Sequence, residues 1–340
     1  MLPFDEGTGF IGLRTLKLTP FTSSGEAWIL TRRRGSTRNV NQPGSPNRTG
    51  LWIGPNGLRN GWAILLYMAI AAAGTVALFG IVYWLAHFTP ADLRALRSSL
   101  LPGIRTSLVL AESCALLIAT AVMARIERRS WLDYGLRARR AAALFAQGAF
   151  WGALLMAGLV GTLALTHAIT IGSSGRGSWS LIGSGLVWAA VFVPAAFVEE
   201  LMFRGYPFFR LARTRNPIRA AIVMSLAFGI AHMGNRDEAL IGMLQVVSVG
   251  LVYCLAVWRT GSLWWALGGH AAWNWTQSFI FGCSNSGLVA SGQWLVSTPS
   301  GPDWLSGGAT GPEGSILSIP LMALMAWIVV RTLPRSRPGH

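Results

Sequence analysis

Charge is what this chain most lacks. Only 12% of its 340 residues are Asp, Glu, Lys or Arg, about half the roughly 25% usual in soluble domains. Lysine is nearly absent: Lys17 is the single one, so the net charge of +15 comes almost wholly from arginine. The three cysteines, Cys114, Cys254 and Cys283, are odd in number and have no C-x-x-C spacing. That excludes a disulfide framework and a thiolate metal site, and leaves Cys114 and Cys254 as small core residues. No stretch at the start has the basic-then-apolar order of a signal peptide. There is no internal repeat. No alternating basic and aromatic groove exists, so nucleic acid is not an expected partner.

What the chain does have is long apolar runs and sixteen tryptophans. Runs of about twenty apolar residues read as membrane spans. The fold class expected is all-α: a polytopic transmembrane helical bundle of about eight helices with an active site in an intramembrane cavity. The spans fall at 62–87, 104–124, 143–169, 181–204, 217–234, 239–258, 262–281 and 315–332. Before them, residues 1–61 read as a disordered basic arm rich in Gly, Ser, Asn and Pro; translation beginning near Met68 is the alternative that would omit it. Residues 62–170 read as an N-terminal transmembrane scaffold, 180–332 as the catalytic core and 333–340 as a tail.

Arginine sets the expected orientation. Arg125, Arg128, Arg129, Arg137, Arg139 and Arg140 fall in one loop, and Arg210, Arg213, Arg215 and Arg219 in the next but one. Arg259 and the tail residues Arg331, Arg335 and Arg337 follow the same alternation, whereas 282–314 has no basic residue. By the positive-inside rule both termini are cytoplasmic in a multi-pass protein of the cell's inner membrane. The Gly/Ser-rich segments 171–179 and 282–314 become outer loops.

Against this background, ionisable residues at membrane depth need a reason to be there. Each costs about 2.5–3.5 kcal/mol on insertion scales. Glu112, Glu199 and Glu200 are the only acids inside long apolar runs. The stretch VFVPAAFVEELMFR carries Glu199 and Glu200 side by side, with Arg204 one turn after Glu200, where an ion pair along one helix face is expected. Two later stretches, FGIAH and HAAWN, place His232, His270 and Asn274 on apolar helices. Glu200 lies sixteen residues before Asn216 and His232 sixteen after it. If Asn216–Pro217 is the turn of a hairpin, both are about 24 Å from its tip and at one depth. His270 and Asn274 are four apart and share a face. The two Glu, the two His and the Asn can therefore meet in the inner half of the membrane. Trp273 and Trp275 point elsewhere, as packing or lipid contacts.

Other polar and small residues have plainer expectations. His87 and His167 read as satisfied core groups, and Glu112 as hydrogen-bonded within the bundle. Phe228 reads as packing that fixes the His232 helix. Gly229, Gly234, Gly268 and Gly269 read as sites of close helix approach.

The ordered set E-E-x-x-x-R, F-x-x-x-H and H-x-x-x-N, running from about Trp188 to Phe281, resembles the CPBP family (CAAX protease and bacteriocin-processing, also called Abi or type II CAAX prenyl endopeptidase-like). The resemblance implies an intramembrane endopeptidase acting on a membrane-bound or lipidated peptide, by CAAX-type or leader-peptide processing. It implies Glu199 as base, His232 as its water partner, and His270 with Asn274 as the oxyanion site, with Glu200 and Arg204 in support. A metal version stays open, with Zn²⁺ held by Glu200, His232 and His270. Against it, the spacing is not H-E-x-x-H and the ligands come from three helices. Two other classes use the same cavity: a non-enzymatic bacteriocin immunity or scaffold protein, and a proton-coupled carrier, for which no inverted repeat is present.

Overall fold

The computed structural model describes residues 51–54, 57–85, 87, 89, 102–234, 240–285 and 289–334. Most of the N-terminal arm, Arg94, Arg97, Arg236 and the final tail residues lie outside them. Of the arm's end, β1 (Ile53–Gly54) and β2 (Gly57–Leu58) form a small antiparallel hairpin.

A helix stands over each of the eight expected spans. They are α1 (Asn60–Leu85), α2 (Pro102–Ile126), α3 (Ala141–Leu165), α4 (Ser178–Arg204), α6 (Pro217–His232), α7 (Leu240–Thr260), α8 (Trp264–Trp275) and α9 (Ser318–Thr332), with a surface helix α5 (Tyr206–Thr214) between α4 and α6. Among the described residues five helices are long and apolar enough to cross a bilayer unaided. Helices α6, α8 and α9 are shorter, 16, 12 and 15 residues, and α8 is prolonged by a π-helical turn, Thr276–Ile280. Many outward-facing side chains are apolar and exposed, among them Leu65, Val76, Phe150, Ile222, Ile230 and Trp258. That is the surface of a chain whose solvent is hydrocarbon, and the protein is an integral membrane protein.

The centre is held by close backbone approach. A Cβ on Gly148 would sit 2.0 Å from Trp265 O, one on Gly152 2.2 Å from Gly269 O, and one on Gly268 2.0 Å from Phe145 O. Without Cβ atoms α3 and α8 meet backbone to backbone, which gives dispersion contact where no hydrophobic effect drives helices together. Gly229 is similarly tight against Val247, but Gly234 has nothing within 4 Å and does not fill the expected role.

The turn expected at Asn216–Pro217 is present between α5 and α6, and a second bend lies further back. Helix α4 ends at Gly205, whose φ −79°, ψ −126° leave the helix. A Cβ there would lie 2.3 Å from Leu201 O. Pro207 sits in the first turn of α5, where its missing N–H is harmless. Asn216 caps α6 by accepting from Ile218 N at 2.8 Å.

A polar hub pins this bend. Glu127 accepts from Tyr206 Oη at 2.5 Å and Tyr134 Oη at 2.8 Å, and pairs with Arg210 Nη1 at 2.9 Å. Burial pushes the Tyr134 hydroxyl up to about 12. Arg259, expected only as loop charge, caps α9: its Nε donates to Leu333 O at 3.0 Å and its Nη2 to Val330 O at 2.9 Å.

Strands form in the two segments expected as outer loops. β3 (Ile169–Ser173) pairs antiparallel with β4 (Leu295–Pro299), from Ile169↔Pro299 to Ser173↔Leu295. The expectations for three other residues are corrected. His87 and His167 are exposed and sit at φ 54° and 57°, in turns rather than the core. Cys114 is exposed, whereas Cys254 is buried as expected.

Candidate active site

Three apolar helices deliver the ionisable side chains. Helix α4 carries Glu199, Glu200 and Arg204; α6 ends on His232; α8 carries His270 and Asn274. Glu200 is five residues before Gly205, about 7.5 Å along the helix. Depth is therefore set by the α4 bend. Equal depth is the expectation for Glu200 and His232; it is the neighbouring Glu199 whose Oε2 lies 3.8 Å from His232 Nε2.

The two carboxylates have different environments. Glu200 is sealed: its side chain is 1% exposed, and Oε1 accepts from Arg204 Nη1 at 3.2 Å and from His270 Nδ1 at 2.9 Å. Arg204 is 0% exposed. Its guanidinium lies 4.0 Å from the Phe228 ring centroid, a cation–π contact that helps to offset desolvation. Glu199 is 34% exposed, yet its Oε2 is buried and accepts no hydrogen bond. Glu200 Oε1 is thus engaged twice, whereas Glu199 Oε2 has no hydrogen-bond partner.

Imidazole orientation follows from the Nδ1 atoms. His232 Nδ1 is 2.8 Å from Phe228 O, and a carbonyl can only accept, so that nitrogen carries the proton. His270 Nδ1 faces the Glu200 carboxylate in the same way. Both Nε2 atoms then turn toward Glu199 Oε2, at 3.8 and 3.6 Å. These gaps are too long for direct hydrogen bonds. They suit a small donor placed between the three atoms.

Phe228 is thus more than packing. Its carbonyl fixes His232, its ring stacks on Arg204, and that ring is 4.4 Å from the His232 ring. Asn274 lies one turn beyond His270 and is half-buried; among the described residues no hydrogen bond joins it to the four ionisable groups. Glu112, expected to hydrogen-bond within the bundle, makes no such bond among the described residues; it lies within electrostatic reach of Glu199 and Arg105.

The metal version has Glu200, His232 and His270 as ligands. Glu200 Oε1 is taken by Arg204 and His270, and no group of three His, Cys, Asp or Glu is arranged to hold a metal ion among the described residues.

Sequence reasoning missed three neighbours. Tyr253 of α7 stacks on the His270 ring at 5.8 Å and 25°; an aromatic in an apolar run carries no signal of its own. Trp275 Nε1 donates to Gly185 O at 2.9 Å, and Trp273 Nε1 to Glu313 Oε1 at 2.8 Å. Both indoles are therefore hydrogen-bonded anchors, and Glu313 looked like a residue of an outer loop.

This geometry sits within a recognisable domain. Residues 179–276 match the family described as type II CAAX prenyl endopeptidase Rce1-like. That match agrees with the CAAX-protease resemblance of the motifs. The chain is also similar to the uncharacterized protein YyaK of Bacillus subtilis (strain 168), 31% identical over 100 residues. The aligned part is 27% of this chain and 33% of that relative, so the chain spans about a third of the length of the curated relative it matches. No solved structure matches significantly.

Proposed function

We propose that the protein is an intramembrane endopeptidase that hydrolyses a peptide bond in a membrane-bound or lipidated substrate. One observation carries this reading: an unpartnered Glu199 Oε2 faces two imidazole Nε2 atoms whose Nδ1 positions are already committed. A water there donates to Glu199 and is oriented by His232. As its oxygen attacks the scissile carbonyl, Glu199 takes the proton. The carbonyl oxygen becomes an oxyanion, which protonated His270, backed by Glu200, stabilises from Nε2 together with the Asn274 amide. Glu199 then passes the proton to the leaving nitrogen, and the C–N bond breaks. Arg204 balances the charge of Glu200, so that one carboxylate stays ionised while the other cycles. CAAX-type or leader-peptide processing is the matching substrate class, with the termini and the Arg-rich loops cytoplasmic.

The test is cleavage of a quenched-fluorescent, C-terminally farnesylated peptide by the protein in proteoliposomes. Wild type is expected to cleave it, and Glu199→Ala to lose at least about 10²-fold, the scale of general-base catalysis, while eluting as a monodisperse species. Full cleavage by Glu199→Ala would remove the mechanism. Phenotypic immunity that survives this variant would favour the scaffold reading instead.

A further inference from the structure

The segment 282–314 lies beyond the matched domain, yet its last residues reach the helix that carries His270. Trp273 Nε1 donates to Glu313 Oε1 at 2.8 Å. Gln277 Nε2 lies 3.5 Å from Glu313 Oε2 and donates to Ser284 O at 2.7 Å. Glu313 is itself held: its carbonyl accepts from Ser318 Oγ at 3.1 Å. Gly311, at φ +97°, lets the chain pass so closely that a Cβ would sit 2.0 Å from Ser284 O.

Trp273 and Gln277 bracket Asn274. They stand where α8 passes into its π-helical turn, a local widening that weakens the regular ladder and recurs at functional sites. The polar groups around this turn are poorly served. Thr276 Oγ1 and Gln277 Oε1 are buried without partners. Trp275 Nε1 ties this turn to Gly185 O, and Cys283 N and Trp294 N donate to Gln277 O and Phe279 O; of the side-chain bonds from the residues that flank Asn274, two end on one carboxylate.

We propose that Glu313 is a positioning residue for the reaction: through Trp273 and Gln277 it fixes the rotation of the end of α8, and with it the places of Asn274 and His270 at the scissile carbonyl. This rests on the proteolytic reading above. It makes the outer segment part of the catalytic apparatus and extends the working unit past the matched domain, to α9.

The test uses the full chain in proteoliposomes with the farnesylated peptide. Glu313→Ala is expected to lower kcat about tenfold or more, as a displacement of catalytic groups does, with KM within about twofold because peptide contacts are untouched. Trp273→Phe should give a loss no larger than that of Glu313→Ala, and the double variant no more than Glu313→Ala alone, since the bond Trp273→Phe removes is among those Glu313→Ala already removes. Glu313→Gln should restore kcat: its amide oxygen accepts from Trp273, and its NH₂ can serve the unpartnered Gln277 Oε1. An additive double variant, or Glu313→Ala with wild-type kcat, would overturn the proposal. Hydrogen exchange over residues 270–280 needs no substrate. It should quicken in Glu313→Ala and not in Glu313→Gln, even if wild type fails to cleave this peptide. Unchanged exchange in Glu313→Ala would overturn the positioning claim independently of the protease reading.

Discussion

At the residue scale, the account turns on the contrast between Glu199 and Glu200. They are adjacent in sequence but differ in exposure from 34% to 1%. The sealed Glu200 is tied to Arg204, and removing one partner of a buried pair leaves an uncompensated charge costing about 3–5 kcal/mol. Glu200→Ala is therefore expected to lower the melting temperature in detergent markedly, while Glu199→Ala leaves it nearly unchanged and removes activity. Thermal melts followed by tryptophan emission distinguish the two. The ionisable part of this site was legible in the chain because Glu and His at membrane depth are rare and expensive, so each announces a role. Tyr253, Trp273 and Glu313 were not. Aromatic residues in apolar runs look like any other core residue, and an acid in a Gly/Ser-rich segment looks solvated until the segment folds back.

At the element scale, the helices are set by glycine-mediated contacts and by the bend after α4. Gly268→Ala would drive a methyl into Phe145 O, 2.0 Å from the ideal Cβ. Overpacking commonly costs about 1–3 kcal/mol, and backbone on both sides places this site at the upper end. Gly234→Ala meets nothing within 4 Å and should be neutral. Comparing yield and melting temperature of the two variants checks this. The Glu127 hub has its own signature. The Tyr134 hydroxyl is raised from 10.0 to about 12, so its contribution is full below pH 10 and is lost as pH rises toward 12. The melting temperature should therefore decline across that window, and Tyr134→Phe should flatten part of the decline. Helix positions were readable from apolar length and Arg punctuation. The β3–β4 pair was not, since Ile169 and Pro299 are far apart in sequence and neither segment alternates. The bend falls at Gly205, where a Cβ would lie 2.3 Å from Leu201 O, a close approach that glycine permits and no local pattern reveals.

At the scale of the whole molecule, a bundle with an apolar exterior carries, among the described residues, an intramembrane cluster of ionisable groups in which Glu199 and His232 are more exposed than Glu200 and His270. The proposed orientation makes opposite predictions for two exposed positions. A cysteine at Thr298 in β4 should react with an impermeant maleimide from outside intact cells, and one at Arg137 only after the membrane is opened, in a background where Cys114 is replaced by Ala. The reversed labelling pattern would invert the topology. Chelation bears on the chemistry: with Glu200 Oε1 engaged by Arg204 and His270, the proposed reaction uses Glu199, a water and the two imidazoles with Asn274, so EDTA should leave the cleavage rate unchanged. A loss restored by Zn²⁺ would reassign the two Nε2 atoms as ligands.

The most direct measurement is single-turnover cleavage of the farnesylated peptide in H₂¹⁸O, by wild type and by Glu199→Gln, with the products weighed by mass spectrometry. The account predicts one ¹⁸O in the new carboxyl terminus from wild type and no product from Glu199→Gln on the same timescale. Product from Glu199→Gln at the wild-type rate, with the same label, would contradict it.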